Sequence, residues 1–153
     1  MNKFVRLIVL FGVCLSLSCG CSKPDKPMPL TKENLTQYLR NTQAVTKRTD
    51  PKEYETAKGD PNKQKMVFYK FYVKPMETMG YSYDKTISDM AGKFLAKTLL
   101  TTDPAFSMEL SDLLTFAKDT REAAYQLGFI SVDTKGLLDQ VSLVLPRTVI
   151  PPH

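Results

Sequence analysis

Leu7 to Leu17 is a nearly unbroken apolar run behind a short basic start, Met1-Asn-Lys-Phe-Val-Arg6. At about eleven residues it is too short to cross a hydrocarbon core of roughly 30 Å, and it has no polar face to turn toward water. A positive start followed by such a run reads as a secretory signal segment, which is removed from the mature protein. What folds is then expected to be the remainder, roughly 130 residues, close to the commonest size of a single domain. The apolar and charged fractions, 42% and 24%, suit a globular body and neither a membrane bundle nor a disordered tail.

The cysteines sharpen this. All three, Cys14, Cys19 and Cys21, lie in or just after the apolar run, and the body of the chain has none. An exported protein stapled by disulfides would carry paired cysteines through its fold. The junction Leu17-Ser-Cys-Gly-Cys21-Ser22 instead resembles the lipobox at which bacterial lipoprotein precursors are cut and lipidated. Gly20 supplies the small residue before Cys21; the aliphatic position is held by Ser18, with Leu17 one further back. Ser18-Cys19, with Ser16 and Leu15 behind it, is the alternative site, and an ordinary signal cleavage nearby is the other. The resemblance covers only the first two dozen residues. It implies a signal peptide over 1–20, diacylglyceryl lipid on Cys21, membrane attachment through that lipid, and, from Ser22 after the cysteine, sorting to the outer membrane. Cleavage before Cys21 would leave one sulfur and use it for the anchor.

Residues 21–29 form a lipidated cysteine and a tether. Ser22-Lys-Pro-Asp-Lys-Pro-Met-Pro29 has three prolines and no apolar period, so an extended spacer of roughly 20–25 Å is expected. From 30 to 146 the apolar residues recur at helical spacing. Thr31 caps a first helix carrying Leu35, Tyr38, Leu39 and Val45, with Leu30 stapled to Leu35. Lys47 to Gln64, polar and broken by Asp50-Pro51 and Gly59-Asp60-Pro61, reads as a loop. Lys65 to Met79 is rich in strand-favouring residues, but Asp60-Pro61 is a helix start, and Phe68, Phe71, Tyr72, Met76 and Met79 keep a helical period. Helix is the expectation, kinked at Pro75 and ended by Gly80.

A third helix is expected from Asp84 to Leu100, apolar over so wide an arc, with Gly92 and Ala96 included, that it should be central. A fourth should run unbroken from Asp103-Pro104 to Leu127, stopped by Gly128, and a fifth from Asp133 to Leu145, stopped by Pro146. The tail 147–153 should be extended. The expected fold is thus all-α, a small single-domain bundle of about four to five helices.

Little in this body is equipped for catalysis. The single histidine, His153, is the terminal residue, so no general base is fixed by it, and no histidine–cysteine set is available for zinc. No phosphate loop, nucleophile elbow or calcium loop is present, and no cofactor or metal is expected. Glu109 and Asp112 read as a solvated face. Removing Lys3 and Arg6 from 21 basic residues leaves 19 against 16 acidic, a net charge of +3. This mild surplus favours anionic head groups, whereas the absence of a basic stripe argues against nucleic acid.

Two features go beyond plain packing. Arg121 falls in the middle of the fourth helix's apolar face, where it must hydrogen-bond to a helix-end carbonyl or a carboxylate, or else recognise an anion or partner. The aromatic and methionine cluster from Met66 to Tyr83 exceeds what one helix face buries, so Tyr69, Tyr72, Tyr81 and Tyr83 are candidates for partner contact. The expected function is that of a membrane-anchored, non-enzymatic interaction or assembly module with an envelope protein as partner. The alternative is a binder of a small ligand or of an exogenous protein, as an inhibitor or immunity factor would be.

Overall fold

The computed structural model describes residues 25–48, 52–99 and 101–145. The export segment, Cys19, Cys21 and everything from Pro146 lie outside the described residues. Among those described the regular structure is entirely helical, and Lys65–Val73 is helix rather than strand. The all-α expectation therefore holds, with more helical segments than the four or five expected.

α1 (Lys32–Arg48) begins where Thr31 Oγ1 accepts the Asn34 N–H at 3.2 Å, and it buries Leu35 and Tyr38. α2 (Lys52–Ala57) corrects the loop assigned to 47–64. Its six residues bury Ala57, so it lacks the apolar stripe by which a helix is recognised. α3 (Pro61–Phe68) starts at Asp60, whose carboxylate accepts from the Asn62 and Lys63 N–H groups, with Pro61 in the first turn.

From Phe68 the backbone stays right-handed through a π turn, Tyr69–Val73, into α4 (Lys74–Thr78). The widened turn closes with Lys74 N–H donating to Tyr69 O, one residue before Pro75. A proline here has no N–H to give and clashes with the preceding turn, and the π register absorbs that conflict. Gly80, at φ +84°, then ends the helix, with Tyr81 N–H reaching Met76 O.

α5 (Tyr83–Leu95) is capped by Ser82 and buries Thr86, Ile87, Met90 and Ala91. It stops short of Leu100, turning out through Lys97 at φ 58°. The wide apolar arc is only partly covered: Gly92 is half-buried and Ala96 exposed. The long fourth helix is two. α6 (Pro104–Asp119) ends at Thr120 (φ −98°, ψ 3°), whose N–H and Oγ1 both donate to Phe116 O. α7 (Arg121–Gln126) resumes in a new direction and stops at Gly128, φ +77°. α8 (Val132–Val144) follows, capped by Ser131.

α5 lies most extensively against α8. Ser131 N–H donates to Asp84 Oδ1 at 2.9 Å where both helices begin, and Val144 shares a hollow with Phe94, Leu95 and Leu99 where both end. The two helices therefore run in the same direction through the core, with Leu114 of α6, Leu35 of α1 and Met76 of α4 completing it. The tether needs correction too. Met28 is 1% exposed, its N–H donates to buried Thr86 Oγ1 at 2.9 Å, and Ser82 N–H donates to Lys26 O. Residues 26–28 are thus docked on the start of α5 rather than standing off the domain. The lone apolar side chain between two prolines is a core residue.

Candidate interaction surface

The π turn is what presents the aromatic cluster. By adding a residue to one turn it rotates the side chains on either side of it out of one stripe. Phe71 and Val73 point inward, while Tyr69 and Tyr72 are left toward the edge. Tyr69 is 37% exposed, and its hydroxyl donates to Glu77 Oε2 at 3.0 Å. Tyr72 is half-buried, 4.3 Å from the Phe116 ring, and its carbonyl accepts from the Tyr38 hydroxyl. Tyr81 is half-buried beneath Lys26 Nζ, 6.0 Å from the ring centre. Tyr83 departs from the expectation. It is 3% exposed, edge-on to Phe68 at 6.0 Å, and burial drives its hydroxyl well above the usual phenol pKa. It belongs to the core and presents nothing to a partner.

A buried residue that helical periodicity could not reveal, Phe129, backs the exposed Tyr69 ring. Phe129 lies after the Gly128 stop, outside any helix. It stacks on Phe68 at 5.2 Å and on Tyr69 at 6.3 Å, with Lys65 Nζ 5.8 Å from its ring. Beside this stack α2, α3 and α7 enclose an open, mostly apolar groove of about 410 Å³. Ala57, Val67, Phe68, Tyr72, Ala123 and Leu127 form its walls, and Lys58, Gln64 and Gln126 its rim. Met66 and Tyr125, on the same two flanking helices α3 and α7, are 71% and 38% exposed. The break at Thr120 matters here, because it is what frees α7 from the line of α6.

Arg121 is a structural tie. Its Nε donates to Asp139 Oδ1 at 2.5 Å and its Nη1 to Lys118 O, linking the end of α6 to the middle of α8. Lys135 joins from the other side, 3.2 Å from Asp139 and 3.4 Å from Glu122. The Arg121 hydrogen bond, then that of Lys135, holds the Asp139 carboxyl below its ordinary pKa. The linked stability is therefore present above the unfolded value near pH 4 and is lost as pH falls through the lowered folded value. Urea melts should show this as a fall in stability below about pH 4 that is shallower in Asp139→Asn. Equal slopes would mean that the carboxylate is not held.

Asp112 is exposed as expected, but Glu109 is half-buried, with Oε2 enclosed and lacking a hydrogen-bond partner among the described residues. Lys118, not singled out in the sequence, is 2% exposed and reaches Asp119 at 3.0 Å. Among the described residues no group of His, Cys, Asp or Glu is placed to hold a metal ion, and no helix is long and apolar enough to cross a membrane. Compared with known proteins, the chain matches no family model, no curated protein and no solved structure.

Proposed function

We propose that the chain is a lipid-anchored protein of the bacterial envelope, held at the outer membrane through Cys21, whose helical domain docks a protein partner without catalysis. The observation that carries the docking role is the open apolar groove between α2–α3 and α7, whose Phe68 wall adjoins the Phe129–Tyr69 stack. Aromatic side chains in and beside an apolar trough suit the apolar face of a partner helix or loop. Lys65, over the Phe129 ring beside the groove, favours acidic residues on that partner, whereas Lys58 on the rim is paired with Glu55 at 2.7 Å.

A photocrosslinker at exposed Gln126 tests the reading in intact cells. It should capture a discrete envelope protein, and Ala123→Arg, which fills the groove from an exposed position, should remove the adduct without lowering the domain's stability. Adducts unchanged by Ala123→Arg, or none at all, would remove the groove from the account. The runner-up, a binder of a small ligand, draws on the groove's volume, which falls within the roughly 300–1,000 Å³ usual for ligand sites. On that reading the adduct is absent, while an apolar ligand raises the melting temperature of the unmodified chain and not of the Ala123→Arg variant.

A further inference from the structure

On a different face, α1 and α4 enclose a second groove of about 380 Å³ whose character is opposite. Ala44, Val45 and Pro75 make an apolar floor, and Arg48, Lys70 and Lys74 stand around it. Lys70 is engaged by Glu53 at 3.2 Å. Arg48 and Lys74 have no carboxylate within 4 Å among the described residues. Asn41 also lines the groove, and since its Oδ1 accepts from Gln37 Nε2, its amide N–H groups are what it has to offer. Arg48 by itself is explained as a cation in the last turn of α1, where it complements the helix dipole. Lys74 is not, because it lies within the continuous helical run from α3 through the π turn into α4, where no helix end accounts for a cation. Two unpaired cations and an amide from separate helices converge over an apolar floor. That arrangement suits a many-oxygened anion attached to an apolar body.

We propose that this groove binds the phosphate of a net-anionic phosphodiester ligand, one with no cation of its own to neutralise it, with Arg48 and Lys74 holding the anion and Ala44, Val45 and Pro75 receiving the adjoining apolar part. The chain's own anchoring indicates a source. Asp25 lies in a hollow walled by Val73 and Glu77, and Val73 directly precedes Lys74. Only three residues lie between Cys21 and Asp25, so the four steps reach at most about 14 Å. With lipid on Cys21, the start of α4 is kept close to the head groups. This source rests on the anchor proposed above; the groove's chemistry does not.

The test uses the lipidated chain in nanodiscs of phosphatidylcholine alone or with added phosphatidylglycerol, followed by amide shifts in nuclear magnetic resonance spectra. Phosphatidylglycerol should shift the amides of Asn41, Ala44, Lys74 and Thr78. The Arg48→Ala/Lys74→Ala double variant, altered only at exposed positions, should weaken that response by about tenfold or more, the scale of lost charge-assisted hydrogen bonds. Inorganic phosphate giving the same shifts in phosphatidylcholine discs would keep the anion site and overturn its assignment to a phosphodiester, making free phosphate the ligand. No groove shift with either probe, or shifts unchanged in the double variant, would overturn the site. A chain found without acyl label refutes the anchor instead; titrating it free in solution with inorganic phosphate and dihexanoyl phosphatidylglycerol then decides the groove alone, by the same shifts.

Discussion

Replacing Cys21 by serine should abolish acyl labelling and leave the chain as an uncut, larger precursor. The reason is chemical: the diacylglyceryl group is joined through sulfur, and the cut follows that modification in proteins of the lipobox type. The energetic consequence is large, since each buried methylene contributes about 0.8 kcal/mol and two acyl chains hold a protein firmly where one holds it marginally. Acyl labelling and fractionation of cells expressing Cys21→Ser beside Cys19→Ser read the result. Normal labelling in Cys21→Ser, with loss only in Cys19→Ser, would move the anchor two residues back. That outcome lengthens the reach before Asp25 by about 7 Å and loosens the proposed hold of the head groups on α4. Labelling kept in both single variants would mean that either cysteine can take the lipid; absence of label in the unmodified chain would remove the anchor, and with it the outer-membrane reading.

The parts of the fold that were legible are those in which local chemistry decides. Asp60-Pro61 and Asp103-Pro104 cap their helices as carboxylate-plus-proline pairs should, and Gly80 and Gly128 stop theirs at positive φ. What was illegible depends on packing between segments. Met28 is one apolar residue among prolines, and nothing in its neighbours shows that α5 offers Thr86 to its N–H. Thr120 is an ordinary helix residue by propensity, yet with Arg121 tied to Asp139 and to Lys118 O the chain turns there. The groove walls come from three segments, and one of them, α2, had no period to betray it. Arg121 was the converse case: its position on an apolar face demanded a partner, and a carboxylate and a helix-end carbonyl supply two.

The tyrosines separate into two populations, and their alanine variants should differ more than any other pair in the domain. Tyr83→Ala removes an enclosed ring from contact with Phe68 and leaves a void at the start of α5, where Ser82, Lys26 and Asp84 also join the tether and α8 to the core. Large aromatic truncations in cores cost about 3–5 kcal/mol. Set against a typical total of about 5–15 kcal/mol, that is a third or more of the stability of a modest domain. Tyr69→Ala removes a ring that is 37% exposed and one hydroxyl bonded to Glu77, so a loss of only about 0.5–1 kcal/mol is expected. Binding should reverse the order: Tyr69, beside the groove and stacked on Phe129, is where truncation should cost about 2 kcal/mol or more of partner affinity. Urea melts give the first comparison, and the Gln126 crosslink, scored against partner concentration, gives the second. Tyr72, half-buried in the groove wall, should lose on both scales. If Tyr69→Ala unfolds the domain as readily as Tyr83→Ala, the exposed ring is a packing element. The docking role would then rest on the groove walls alone.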